Sequence, residues 1–178
     1  QPAEALVRKL RASILYLGAL LARTGEARLA PPGGCVIGRR GVESHFEALI
    51  ALGAKIDADE DGYSATRPKQ QAAHLFLSEP SVTATENALL LAAATAGETV
   101  IDNAASEPHV SDLCEVLAKM GARVTGFGTN RLSISGAKKL CGFRHRIVPD
   151  HIEAGTFAIA AACTRGELTV HDVRPAHL

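Results

Sequence analysis

The chain has 178 residues, 47% of them hydrophobic, and its 19 lysine and arginine residues balance 19 aspartate and glutamate residues. This length and composition predict a soluble globular protein with a substantial core. The neutral balance argues against nucleic-acid and membrane-surface binding, because proteins of those classes carry an excess of basic residues. A small anionic ligand needs only a few arginines and is compatible with this composition.

The composition predicts neither a membrane span nor a metal site. No segment approaches the roughly 20 consecutive apolar residues that cross a bilayer. The four cysteines, at 35, 114, 141 and 163, form no Cys-x-x-Cys pair, and the scattered histidines lack metal-ligand spacing. We therefore expect a cytoplasmic chain without zinc, disulfides or a cofactor. Because the sequence begins with Gln1 rather than methionine, we also expect the natural chain to be longer.

The first predicted elements are an apolar helix that ends at Gly25 and a short strand at 27–30. Glycine directly after the last apolar residues of a helix is the usual residue for the left-handed conformation that ends it. A strand that starts two residues later then runs into a loop that begins with two prolines.

That loop has the sequence Pro-Pro-Gly-Gly-Cys-Val-Ile-Gly-Arg-Arg at 31–40. Its glycines permit sharp bends, and its prolines keep a helix from running into it. Cys35 is therefore expected at the surface, where Arg39 and Arg40 favour the thiolate. Free cysteines are more often small buried hydrophobic residues, but this setting favours a reactive thiol. Cys114 and Cys163 lie within apolar helices and are predicted to be buried.

A second helix is predicted to begin near residue 42, because apolar residues recur there at helical spacing. The predicted buried stripe consists of Val42, Phe46, Leu49 and Ile50. A strand follows after Gly53, and a turn at Asp59–Tyr63 then forms a hairpin with the next strand.

These elements recur with a period of about 70 residues. Gly97 and Gly166 close apolar helices as Gly25 does, and strands are predicted after them at 99–102 and 168–171. The second helix recurs at 108–121, with a stripe of Val110, Leu113, Leu117 and Met120, and a second turn is predicted at 126–131. Repeats of this length are supersecondary units that pack against one another. We expect nearly two units and the first half of a third, which is truncated or continues in a segment not present here.

The repeat also predicts that helix beginnings converge. Positions 14 residues before the three closing glycines are Arg11, Thr83 and Ile152. Ser81 is expected to cap the helix that begins beside Thr83. If the units pack about a threefold axis, these helix N-termini point at one cleft and form an anion-binding site.

Together, these motifs resemble the UDP-N-acetylglucosamine 1-carboxyvinyltransferases, the enolpyruvyl transferases that open bacterial peptidoglycan synthesis. The resemblance rests first on the loop at 32–40 followed by His45. It extends over essentially the whole chain through four further motifs, at 10–13, 81–87, 103–108 and 149–156.

The resemblance implies an α/β fold of repeated βαβαββ units about a pseudo-threefold axis, an inside-out α/β barrel. Members of the family have two such domains with the active site between them. Residues 1–148 would then be nearly two repeats of the loop-bearing domain. Residues 149–178 would begin a third repeat and cross toward a second domain that is absent here.

The implied reaction transfers the enolpyruvyl group of phosphoenolpyruvate to the 3-hydroxyl of UDP-N-acetylglucosamine and releases phosphate. Cys35 matches the family's loop cysteine, which acts as a general acid for phosphate departure and is alkylated by fosfomycin. The implied partners are the two substrates and the remaining domain of the same enzyme, with no nucleic acid and no membrane. A bacterial cytoplasm is the implied location.

The resemblance also carries over a set of substrate-binding positions. They are Arg11, Arg40, Gly41, Val42, Glu43, Ser44, His45, Ser81, Val82 and Thr83. The sequence departs from the family at Gly41 and Glu43, which replace a proline and an aspartate. It also has Glu79 and Pro80 at or next to a position where some members have a lysine.

Further catalytic groups of the family, a Lys-Asn pair and an aspartate base, have no counterpart in this chain. The 178 residues alone are therefore expected not to turn over substrate. Two alternatives stay open: a non-catalytic sugar-nucleotide-binding relative, and an enolpyruvyl transferase with another acceptor.

Overall fold

A computed structural model of the chain describes residues 1–34 and 41–178. The chain divides into two compact units, Gln1–Arg144 and His145–Leu178, and each is described by itself. The division into domain segments 1–148 and 149–178 stays a prediction.

The first half of the larger unit is a three-stranded antiparallel sheet with helices before and between its strands. The strand order is β1-β3-β2. A 3-10 turn at Arg11–Leu15 leads into the second helix. The elements are α1 (Glu4–Val7), α2 (Tyr16–Thr24), β1 (Glu26–Leu29), α3 (Glu43–Ala51), β2 (Lys55–Asp59) and β3 (Gly62–Thr66).

The second half of this unit is a complete βαβαββ unit, as the resemblance implied. Its four strands lie in the order β4-β5-β7-β6, with β4 parallel to β5 and the other pairs antiparallel. The elements are β4 (His74–Phe76), α4 (Val82–Ala93), β5 (Glu98–Asp102), α5 (Pro108–Lys119), β6 (Arg123–Thr125) and β7 (Arg131–Ser135).

Both predicted hairpins form at the predicted turns. In the first, Asp59 Oδ1 accepts hydrogen bonds from the backbone N–H groups of Asp61 and Gly62, at 2.9 and 3.0 Å. In the second, the Thr129 hydroxyl oxygen lies 2.8 Å from the Gly126 carbonyl oxygen and 2.9 Å from that of Arg131, either of which can accept its one hydrogen. Side chains that bond to nearby backbone in this way are the reason that these residue types favour turns.

The predicted glycine caps are confirmed at one of three helices. Gly25 ends α2 in the left-handed conformation, with φ 78°. Helix α4 instead ends at Ala93, where the N–H of Ala137 bonds to the Ala93 carbonyl at 3.0 Å and so takes the place of a glycine cap. In the third helix the left-handed residue is Arg165, one position before Gly166.

The core lies around α4, which packs against α2 and α3 and against α5 and β7. The predicted stripe of α3 is right at three of its four positions: Leu49 is buried and Val42 and Phe46 pack half-buried against the core. Ile50 is 52% exposed, and the helix buries His45 instead. In α5, Val110 and Leu117 are buried as predicted, with Leu113 and Met120 half-buried. Cys114 is buried beside them, as predicted.

The smaller unit is a helix, α6 (His151–Thr164), and a 3-10 turn at Pro175–His177. The Asp150 carboxylate caps α6 by accepting from the N–H groups of Ile152 and Glu153. Two predictions are wrong here: residues 168–171 do not form a strand, and Cys163 is exposed. Within residues 145–178, all of which the structure describes, no strand forms against which α6 could bury its apolar side chains.

Among the described residues, no helix has both the length and the apolar character needed to span a bilayer.

Gly136, directly after β7, lies against the C-terminal end of α4. A Cβ there would lie 2.1 Å from the carbonyl oxygen of Thr95 and 2.6 Å from that of Ala92. Because backbone carbonyls cannot move aside as side chains can, Gly136→Ala is expected to lower the free energy of unfolding by about 1–3 kcal/mol. Gly142→Ala is the matched control, since a Cβ at Gly142 meets nothing within 4 Å. Urea unfolding compares the two variants, and equal midpoints would contradict the expectation.

Candidate functional site

Four segments that are distant in sequence surround one cavity of about 570 Å³ in the larger unit. Its wall combines the start of the 3-10 turn before α2, the beginning of α3, the loop that leads into α4, and the residue that precedes α5. The lining residues are Arg11, Gly41, His45, Glu79, Pro80, Ser81, Val82, Thr83 and Glu107. Arg11 and Thr83 thus face the same cavity, as the repeat predicted.

Arg11 places a positive charge in the cavity wall. Its side chain is half-buried, and its Nη2 donates a hydrogen bond to the Gly41 carbonyl at 2.7 Å. This bond connects the start of the 3-10 turn to Gly41, two positions before α3. The remaining N–H groups of an arginine fork match a carboxylate or a phosphate.

The beginning of α4 adds backbone donors to the same wall. Ser81 is the predicted N-cap: its Oγ accepts from the N–H of Ala84 at 3.3 Å. The N–H groups of the first helical turn, which includes Val82 and Thr83, have no carbonyl partners within the helix. Together with the helix dipole, they favour an anion at this end of the helix.

His45 lies in the wall between α3 and α4 and is only 2% exposed. Its Nδ1 lies 2.9 Å from Asn87 Nδ2, and its Nε2 lies 3.2 Å from Thr83 Oγ1. Burial, and secondarily the positive charge of Arg11, lower the pKa of His45 from 6.5 to about 4. The imidazole is therefore neutral near pH 7.

Three carboxylates stand in or beside the cavity, and their roles were not predicted from the sequence. Glu79 lines the cavity and accepts a hydrogen bond from Ser44 Oγ at 3.0 Å. Glu107 also lines it, and its Oε2 is buried without a hydrogen-bond partner among the described residues. Burial, with repulsion from Glu107, raises the pKa of Glu86 to about 7.

Comparison with known proteins identifies the family. The sequence model of the family EPSP synthase (3-phosphoshikimate 1-carboxyvinyltransferase) matches residues 1–178, the whole chain. The chain belongs to this family.

Curated relatives with sequences similar to this chain have the name UDP-N-acetylglucosamine 1-carboxyvinyltransferase. The protein of that name from Treponema denticola is 54% identical over 172 residues, and that from Koribacter versatilis is 48% identical over 173 residues. Each alignment covers 97% of this chain and 40% of the relative. The chain thus spans about 40% of the length of these curated relatives.

The structure of this chain is also similar to solved structures of an enolpyruvyl transferase and an EPSP synthase. The enolpyruvyl transferase NikO from Streptomyces tendae matches with a TM-score of 0.71 at 25% identity, over 90% of this chain and 38% of that one. An EPSP synthase from Acinetobacter baumannii matches with a TM-score of 0.61 at 25% identity, over 86% of this chain and 35% of that one. The predicted α/β fold of the enolpyruvyl transferases is thereby confirmed.

Some residues that the family resemblance marks as substrate-binding do not line the cavity. Val42 is half-buried and packs against the core, and the Glu43 carboxylate lies over Gly41. Ser44 is buried, and its hydroxyl orients Glu79. A contact of these three residues with substrate stays a prediction.

The predicted catalytic Cys35 and the predicted anion-binding Arg40 lie outside the described residues. The described residues on either side of the segment 35–40 both adjoin Arg11. A Cβ at Gly34 would lie 3.3 Å from the backbone nitrogen of Arg11, and the Gly41 carbonyl accepts the bond from its guanidinium.

His45 and Glu86 are expected to give opposite pH dependences to stability. The pKa of His45 is lower in the folded protein than in the unfolded chain, so stability falls as the pH drops from 6.5 toward 4. The pKa of Glu86 is higher in the folded protein, so stability rises as the pH drops from 7 toward 4.5. Between pH 7 and pH 5 each contribution changes by about 2 kcal/mol, in opposite directions.

Single variants should separate the two contributions. Relative to the unaltered protein, Glu86→Gln is expected to lose about 2 kcal/mol between pH 7 and pH 5, and His45→Gln to gain a similar amount. Urea unfolding at both pH values measures these differences. The same pH dependence in all three proteins would contradict the expectation.

Proposed function

We propose that the protein containing this chain transfers the enolpyruvyl group of phosphoenolpyruvate to the 3-hydroxyl of UDP-N-acetylglucosamine. The observation that carries the proposal is that Arg11 and the N-terminus of α4 face one cavity. Both groups favour anions, and both substrates are anionic. Relatives of this chain bear the name of this activity.

In the first step of the proposed reaction, the sugar hydroxyl oxygen bonds to C2 of phosphoenolpyruvate. The hydroxyl proton passes to a base, and a proton adds to the methylene carbon, which becomes a methyl group in a tetrahedral ketal. In the second step a methyl proton is lost, the C–O bond to phosphate breaks, and the enol ether double bond re-forms. Cys35 would donate the proton to the departing phosphate.

The described residues would bind and orient the substrates. Arg11 and the first turn of α4 would hold a phosphate or carboxylate, with Arg40 as a second cation. Glu107 Oε2 has no hydrogen-bond partner among the described residues, and a sugar hydroxyl or amide N–H of a ligand can supply the donor. The neutral His45 would present the Thr83 hydroxyl to the ligand.

One specific feature favours a second candidate, an enolpyruvyl transferase with another acceptor. Glu79 places a carboxylate in the same cavity as Arg11 and the N-terminus of α4, where its negative charge disfavours binding of a diphosphate. The family description itself names a different acceptor, 3-phosphoshikimate.

The test measures phosphate release from phosphoenolpyruvate by the full-length protein, with either UDP-N-acetylglucosamine or shikimate 3-phosphate as acceptor. The proposal expects turnover only with the sugar nucleotide, and it expects Cys35→Ser to lose this turnover. Turnover only with shikimate 3-phosphate supports the second candidate. Sugar-nucleotide binding without turnover indicates a non-catalytic relative. Residues 1–178 alone are expected to be inactive in the same assay.

A further inference from the structure

A chain of buried hydrogen bonds runs from α2 through α4 to the cavity. Asn87, on α4, is fully buried and lies at the centre of this chain. Its Oδ1 lies 2.9 Å from the backbone nitrogen of Gly18, and its Nδ2 lies 3.1 Å from the Ile14 carbonyl. The same Nδ2 lies 2.9 Å from Nδ1 of His45, whose Nε2 faces the Thr83 hydroxyl.

The two backbone partners of Asn87 determine which way its amide points. The Gly18 N–H can only donate, so the atom facing it must be the amide oxygen. The Ile14 carbonyl can only accept, so the atom facing it must be the amide nitrogen. The second hydrogen on that nitrogen then points at His45.

The orientation of Asn87 in turn determines where His45 carries its proton. Because Asn87 Nδ2 donates, His45 Nδ1 must accept and therefore has no hydrogen. A neutral imidazole then has its hydrogen on Nε2, which donates to Thr83 Oγ1. Among the described residues no acceptor is found for the Thr83 hydroxyl hydrogen, and Thr83 lines the cavity.

We propose that Asn87 is a positioning residue, which holds His45 as the Nε2–H tautomer and so leaves the Thr83 hydroxyl to donate a hydrogen bond to the ligand. The role of the Thr83 hydroxyl in ligand binding rests on the proposed function. The tautomer of His45 does not, because it is a property of the ligand-free protein.

Packing around Asn87 makes the orientation rigid. A Cβ at Gly18 would lie 2.6 Å from Asn87 Oδ1 and 2.7 Å from the Asn87 carbonyl oxygen, so α2 and α4 approach closely at this point. Burial of His45 keeps the imidazole neutral near pH 7, with a pKa of about 4. A cationic imidazole would carry hydrogens on both nitrogens and could not accept from Asn87.

The first test is nitrogen-15 NMR of the histidine side chains in the full-length protein at pH 7, without ligand. His45→Gln identifies the His45 resonances by their disappearance. The expected pattern is a protonated Nε2 and an unprotonated Nδ1. A protonated Nδ1, or a doubly protonated ring, overturns the inference, whatever the protein binds.

The second test reverses the donor with a variant of nearly the same shape. In Asn87→Asp a carboxylate oxygen faces Nδ1 and can only accept, so the proton of His45 is expected to move to Nδ1. Nε2 then accepts from Thr83, whose hydroxyl is lost to the ligand. UDP-N-acetylglucosamine, used as the probe, is expected to bind about tenfold more weakly, the effect of one hydrogen bond.

Variants of Thr83 separate positioning from general damage to the fold. Thr83→Val is expected to weaken binding by a similar factor of about ten, and Thr83→Ser to restore it. In the Asn87→Asp background, Thr83→Val is expected to change affinity by less than about twofold, because its hydroxyl is already engaged. Multiplicative effects of the two changes would overturn the inference. No binding by the unaltered protein would count against the proposed function, while the tautomer measurement would still decide the role of Asn87.

Discussion

Arg11→Met is expected to weaken binding of UDP-N-acetylglucosamine and of phosphoenolpyruvate by on the order of 100-fold. Methionine keeps much of the apolar stem but removes the one arginine among the described residues that line the cavity. A hydrogen bond to a charged group is worth about 1.5–3 kcal/mol, and Glu79 and Glu107 then face an anionic ligand without that counter-charge. Isothermal titration calorimetry measures both affinities.

Arg8→Met is the matched control for this expectation. Arg8 is exposed three residues earlier, pairs with Glu4 at 2.8 Å, and does not line the cavity. Arg11→Met should also raise the pKa of His45, since the charge of Arg11 contributes to lowering it, although burial keeps it below 6.5. Equal affinities in the Arg8 and Arg11 variants would show that this cavity is not the anion site.

The repeat explains how much of the fold could be predicted from the sequence. Apolar periodicity and turn residues recur every 70 residues, and both signals are local, so the order of helices and hairpins was predictable. The side of α3 that is buried was less predictable. His45 is buried and the predicted Ile50 is exposed, because the two ring nitrogens of His45 have partners on α4, a tertiary effect that hydrophobicity does not record.

In the smaller unit, predictions made from the repeat were wrong. The predictions of a strand at 168–171 and of a buried Cys163 assumed that a third unit resembles the first two. Whether an apolar helix is buried depends on what packs against it. Of the residues of α6, all of which the structure describes, only Ala154 is buried. A sequence pattern shows which face can be buried, and the fold decides whether it is.

Sequence reasoning marked six of the nine described residues that line the cavity, and it missed the asparagine that connects His45 to α2. Arg11 and Thr83 were predicted to converge by counting back from glycines. Asn87 ends the motif at 81–87, and its bonds to Ile14 and His45 join residues 73 and 42 positions apart. Such separations leave no periodic signal. The position of Asn87 midway along an apolar helix was the available sign that it has buried partners.

Arg67 is a second buried polar residue that the sequence did not single out, and it stabilises the junction of three helix ends. It is 9% exposed and directly follows β3. Its backbone N–H bonds to the Gly25 carbonyl after α2, its Nε donates to the Leu52 carbonyl after α3, and its Nη2 donates to the Thr95 hydroxyl after α4. A cation at the carbonyl ends of helices also interacts favourably with their dipoles.

Arg67→Met is therefore expected to lower the free energy of unfolding by about 3 kcal/mol, since it removes two charged hydrogen bonds and leaves the buried Leu52 carbonyl without that donor. Arg67→Lys should recover only part of the loss, because one ammonium cannot span the Leu52 and Thr95 oxygens as the guanidinium does. Arg123→Met, at an exposed strand position, is the control and should stay within about 0.5 kcal/mol of the unaltered protein. Urea unfolding measures all three variants. If Arg67→Met were as stable as Arg123→Met, the cost of burying the guanidinium would equal everything it gains at the two helix ends that it contacts.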